Sequence, residues 1–253
     1  VLGTVTVLAL SVSLLAGCGS TAASPVSSAA STAAESTTSS VVSETTSAAA
    51  DENEAAAAQL LNDLTGSYQE LWPVILADEY KQTWLDDCTA LVGEENAEAA
   101  FEKLSSMVTS DVYGEDAVEA SANGGGAYFC GFTNSLATLT FDGETSTISG
   151  TDKDGNVLFS HTYHYIGMEP VHGLYEFESD DADSGEFTYF FLAPDTSAET
   201  YHIEFRYGSD AEALSQYDAG EYAYWVASGI STDCDQTMID NCIELFCTEN
   251  LAG

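Results

Sequence analysis

Basic side chains are almost missing from this chain. Lys81, Lys103, Lys153 and Arg206 are the only four, and they stand against 42 Asp and Glu, a formal net charge of −38 at neutral pH. A field of that sign repels phosphate backbones and anionic headgroups, which excludes nucleic-acid binding and electrostatic adhesion to a membrane surface. It draws cations in, but scattered acids alone make a solvated surface and not a metal site. Histidine is equally sparse, with His161, His164, His172 and His202. The sequence also has no Gly-x-Ser-x-Gly elbow, no glycine-rich phosphate loop with a lysine and no His-Glu-x-x-His helix. Asp181-x-Asp183-x-Gly185 has the look of a calcium loop, but its glycine comes one residue early and no closing glutamate follows, so it reads as a hairpin turn. Acid–base chemistry would rest on carboxylates, none of them paired by spacing, and the chain is read as a non-enzyme.

Charge is also absent from the N-terminus, where the first charged side chain is Glu35. Val1 to Gly17 is an apolar, small-residue run, too short and too weakly apolar for a spanning helix, and it ends in Leu14-Leu15-Ala16-Gly17-Cys18. The run reads as a signal peptide over 1–18 that lacks its basic flank and is therefore N-terminally incomplete. Leu-Ala-Gly-Cys resembles the bacterial lipobox, which makes Cys18 the acylated, palmitate-type anchor. This places the protein on the outer face of the cytoplasmic membrane, touching the membrane through lipid only. Residues 19–58 are almost entirely Ser, Thr and Ala, with no periodic apolar face and no histidine. Such a tether of about 40 residues has a root-mean-square span of roughly 35 Å and a stretched reach of roughly 130 Å. Residues 59–253 have the length and the apolar content of a single domain.

With Cys18 taken by lipid, Cys88, Cys130, Cys234, Cys242 and Cys247 remain. Thr232-Asp233-Cys234-Asp235 reads as a helix start, with Met238, Ile239, Cys242 and Phe246 on one stripe. In a continuous helix Cys234 and Cys247 lie roughly 18 Å apart, beyond disulfide reach. Cys242 is then a buried thiol, and bridges would tie Cys234 or Cys247 back to Cys88 or Cys130.

Helices come first in the domain, and strands follow. Gln59–Leu76 and Ala97–Val108 show helical spacing. After Asn123-Gly124-Gly125-Gly126 the period falls to two, and strands are predicted over Ala127–Phe132, Leu136–Phe141, Thr145–Ser149, Val157–Ile166, Leu174–Glu178, Phe187–Leu192 and Thr200–Tyr207. Asp142-Gly143 and Lys153-Asp154-Gly155-Asn156 supply turn signals between them. Closely spaced antiparallel strands of this kind make a barrel or a sandwich.

A family resemblance is carried by several segments in register. Gly66-Ser67-Tyr68-Gln69-Glu70-Leu71-Trp72-Pro73 resembles the Gly-x-Trp-Gln-Ser-x-Tyr-Pro opening of ZinT domains. Tyr163-His164-Tyr165-Ile166-Gly167 is similar to their Tyr-Lys-Tyr-Val-Gly strand. Ala193-Pro194 followed by Ala198-Glu199-Thr200-Tyr201-His202-Ile203 is similar to their Ala-Pro and Ala-Glu-His-Phe-His-Ile stretch. The match runs from about Asp63 to Leu214. It implies a mainly β fold with N-terminal and C-terminal helices, a lipocalin-like (calycin) antiparallel β-barrel. It also implies an extracytoplasmic zinc-binding protein that captures a divalent metal ion or passes zinc to an ABC importer or its binding protein.

The family site uses three histidines, and here the strand pair has become Thr200 and His202 while the Ser-Asp-His that precedes Ala-Pro is missing. His202 is the surviving ligand. Strand alternation puts Thr200, His202, Glu204 and Arg206 on one face and Tyr201, Ile203, Phe205 and Tyr207 on the other. His202 with Glu204 is an acceptable start for zinc, and His172, in a loop, is the freest further donor. His161 and His164 are an odd number apart and fall on opposite faces, with His164 expected at the surface. Arg206, on the same face as Glu204, is expected to satisfy one or more acids inside or at the rim of the barrel, and a pairing with Glu204 would make that carboxylate less available to a metal. The alternative function is a lipocalin-like module that has lost the metal site and binds a small molecule or a protein partner.

Overall fold

The computed structural model describes residues 52–194 and 202–252. Cys18 and the tether up to residue 51 lie outside them, as do Thr200 and Tyr201. Residues 52–63 form the first helix, α1. It is followed by strand β1 (Gly66–Glu70), helices α2 (Leu71–Ile75), α3 (Lys81–Val92), α4 (Glu94–Ser106) and α5 (Glu115–Ala122), and then strands β2 (Thr138–Asp142), β3 (Thr147–Thr151), β4 (Val157–Met168), β5 (Tyr175–Ser179), β6 (Tyr189–Leu192) and β7 (His202–Gly208). Helix α6 (Ala211–Leu214), strand β8 (Ala227–Ser231) and helix α7 (Gln236–Leu251) complete the domain.

The eight strands pair antiparallel in sequence order, and β1 closes on β8 through Tyr68↔Ser231, Gln69↔Ile230 and Glu70↔Gly229. The result is a closed up-and-down antiparallel barrel, the lipocalin-like (calycin) architecture, with helices at both ends of the chain. Its interior is filled. Phe141, Phe177, Phe190, Phe205, Tyr207 and Trp225 are buried there, and Phe190, Phe205 and Tyr207 stack on one another. Leu60 and Leu61 of α1 and Leu64 just after it join the same cluster, so this helix packs against the barrel interior. It approaches the β2–β3 turn so closely that a Cβ on Gly143 would fall 2.4 Å from the Asn62 Cα.

A second apolar layer lies between the outer face of the barrel and the helices. Trp72 and Ile75 of α2, Trp84 and Cys88 of α3, Leu104 of α4, Ile230 of β8 and Ile239, Ile243 and Cys247 of α7 build it. Trp84 donates its indole N–H to the Ile75 carbonyl at 2.7 Å, tying α3 to α2. Asp235 caps α7 by accepting from the Met238 N–H at 3.0 Å. No described helix is long and apolar enough to cross a membrane.

Two sequence expectations are corrected. The helical pattern over Gln59–Leu76 contains strand β1, which separates α1 from α2. Ala127–Phe132 is not a ladder strand: Phe129 forms only isolated bridges, to Thr109 and Trp225. Helices α3, α5 and α6 and strand β8 lie where the sequence pattern predicts no element. The strands expected from Thr145 to Tyr207 are present, with edges shifted by a few residues where they are described.

Candidate metal centre

Strand β7 sits between β6 and β8, with Glu204 opposite Ser228 and Arg206 opposite Phe191. Ile203, Phe205 and Tyr207 point into the barrel and are buried in its core. His202, Glu204 and Arg206 therefore point outward, as the alternation predicts. The outward face is covered in two different ways.

At the His202 end the cover is helical. His202 and Glu204, together with Leu71, Trp72 and Ile75 of α2 and Cys242, Leu245, Phe246 and Glu249 of α7, line a cavity of about 30 Å³. That is room for about one water molecule or one ion. Burial pulls the His202 pKa down to about 4, so its imidazole is neutral at neutral pH, the form in which histidine ligates a metal. His202, Glu204, Cys242 and Glu249 each also engage neighbouring groups. Among the described residues, no group of three or more His, Cys, Asp or Glu side chains is arranged to hold a metal ion.

At the Arg206 end the cover is a loop. The fully buried guanidinium donates to the Gln216 carbonyl at 3.2 Å from both terminal nitrogens and to the carbonyls of Leu214 and Tyr222. It also lies over the Tyr217 ring at 4.2 Å. The expectation that Arg206 would satisfy one or more acids at the barrel is corrected: the backbone carbonyls of Leu214, Gln216 and Tyr222 accept its hydrogen bonds. These carbonyls engage both terminal nitrogens of the cation without a carboxylate, while Nε is buried with no hydrogen-bond partner among the described residues.

His172 belongs with that second region. Its ring lies 3.8 Å from the Tyr217 ring, centroid to centroid, and its backbone N–H donates to the buried Glu169 carboxylate at 2.6 Å. It does not line the His202 cavity. His161 faces the same way as Phe159 and Tyr163 and meets Asp181 at 2.7 Å, whereas His164 is exposed on the opposite face and meets Asp180 at 2.7 Å. The two histidines are separated as their odd spacing requires.

Glu249 is the residue at this site that sequence reasoning did not single out. It lies seven residues after Cys242, on the same side of α7, so the spacing was visible. That α7 would lie over β7 was not.

No family model and no curated protein matches this sequence. Solved structures similar in outline include two from one bacterium. The Zn(II)-bound ZinT-like domain of Streptococcus pneumoniae AdcA is 16% identical with a TM-score of 0.46, over 73% of this chain and 89% of that one. Zn(II)-bound AdcA from the same organism is 14% identical with a TM-score of 0.43, over 74% of this chain and 35% of that one.

Proposed function

We propose that this chain is a lipid-anchored, extracytoplasmic ZinT-like domain that binds zinc as cargo, for capture or for delivery to an importer. The observation that carries the reading is the pairing of a neutral His202 imidazole with Glu204 around a cavity the size of one ion. The in-register sequence segments at 66–73, 163–167 and 193–203 support it. His202 would supply a nitrogen donor and Glu204 an oxygen donor, with Glu249 of α7 bordering the same space. A carboxylate in place of the family's histidines makes the expected site weaker and less selective for zinc.

Calorimetric titration of zinc into the tag-free protein tests this. Wild type should bind, His202→Ala should lose at least about tenfold in affinity, and His172→Ala should titrate like wild type. Flat traces for both wild type and His202→Ala would end the metal reading. The second reading, a barrel that has lost its metal site, would then hold; it is favoured by the lack of a three-donor group among the described residues. Its ligand would have to bind outside the filled barrel interior.

The anchor is tested separately. The Leu14–Cys18 segment supports lipidation at Cys18, so the wild-type chain should fractionate with membranes and take up a palmitate analogue. Cys18→Ala should do neither. Equal partitioning of the two proteins would remove the anchor from the proposal.

A further inference from the structure

We infer that Cys88 and Cys247 are joined by a disulfide, installed as the chain folds in the presence of a disulfide oxidant. Cys88 lies on α3 and Cys247 on α7, 159 residues apart in sequence, and their sulfurs are 3.9 Å apart. Both side chains are fully buried. A disulfide needs sulfurs about 2.05 Å apart, so closure requires about 1.9 Å of approach, shared between two side-chain rotations on packed helices. A neighbouring contact holds these helices together: Trp84, one turn before Cys88, packs edge-on against Phe246, the neighbour of Cys247. Of the other cysteines, Cys130 directs its thiol to the Tyr128 carbonyl, Cys242 lines the His202 cavity, and Cys234 precedes α7.

The bond forms by thiol–disulfide exchange. One cysteine thiolate attacks the oxidant's disulfide and expels one thiol; the second cysteine then attacks the mixed disulfide and expels the other. Two protein thiols lose two protons and two electrons, and one oxidant disulfide is reduced to two thiols. Exchange needs a thiolate, and burial pushes both thiols up, so the closed domain reacts slowly and oxidation precedes the docking of α7 on α3. The finished bond pins α7 to α3. Because α7 carries Cys242, Phe246 and Glu249, the bridge also fixes one wall of the His202 cavity. The inference stands whether or not that cavity takes zinc.

The test refolds the full chain in mixed oxidised and reduced glutathione, alkylates free thiols, digests without reduction and maps the peptides. The expected result is one peptide linking Cys88 to Cys247, with Cys130, Cys234 and Cys242 alkylated. Alkylation of both Cys88 and Cys247, or linkage of either to another cysteine, would overturn the inference. A second measurement uses thermal unfolding. Reductant should lower the wild-type midpoint by about 5–15 °C, whereas Cys88→Ala/Cys247→Ala should melt at the same temperature with and without it. A wild-type midpoint indifferent to a reductant that breaks all its disulfides would count against the bridge. Should the double variant fail to fold, the wild-type peptide map decides alone.

Discussion

The two ends of β7 share one strand and one outward face, yet they were given opposite environments. At the Arg206 end, the 214–222 segment wraps a buried cation in carbonyl oxygens and an aromatic ring, and both terminal nitrogens are engaged. At the His202 end, α2 and α7 bridge over a neutral imidazole and a carboxylate and leave about 30 Å³ between them. The difference comes from the cover. An irregular loop can turn its carbonyls inward, whereas a helix has spent its carbonyls on its own ladder and can offer only side chains. The loop-covered end is therefore held by backbone groups, and the helix-covered end is lined by side chains and leaves a small cavity.

The comparison breaks most visibly at Arg206. Arg206→Leu would leave the Leu214, Gln216 and Tyr222 carbonyls without their donor, and urea unfolding should show a loss of about 3–5 kcal/mol. Arg206→Lys should recover only part, because an ammonium cannot reproduce the planar fork. A loss below about 1 kcal/mol for Arg206→Leu would mean the loop closes without the guanidinium.

A smaller effect is expected at His202, and it depends on pH. The imidazole pKa is about 6.5 when unfolded and about 4 in the folded domain. Between those values unfolding takes up a proton. The His202 contribution to stability is therefore fully present above pH 6.5 and is lost as pH falls toward 4, by up to about 3 kcal/mol. Asp and Glu titrate in part of the same range, so the readout is the difference between wild type and His202→Asn. Parallel stability–pH curves for the two proteins would show that His202 is not desolvated and would remove the contrast with Arg206.

How legible these features were depended on how much each relied on local period. Strand β4 could be read residue by residue: Phe159, His161 and Tyr163 face one way and His164 the other, because alternation is a property of the backbone alone. Helix α7 was readable from its cap and its apolar stripe. Strand β1 was not, since its five residues bury only Tyr68 and sit between two helices whose leucines set the dominant period. Strand β8 was not, for a different reason. It closes the barrel under the helices, with Ala227 in the interior cluster and Ile230 in the outer layer, so both faces are buried and no alternation marks it. Gly229 allows this tight closure: a Cβ there would lie 3.1 Å from the Ile203 side chain. At the candidate site, His202 and Glu204 were visible as a shared face, whereas Glu249 required knowing what covers that face.

The sequence by itself determined the sign of the electrostatic field, the partition of β7 into an apolar and a polar face, and the placing of Cys242 on the buried stripe of α7. Each follows from composition or from the geometry of a single element. Only the tertiary structure decided that Arg206 is held by carbonyls and not acids, that His172 sits with Tyr217 and away from His202, and that Cys88 meets Cys247. Those outcomes depend on which element covers which face, and that is set by closing β1 on β8 and packing the helices over the seam. Contacts made across such distances along the chain leave no local period to read.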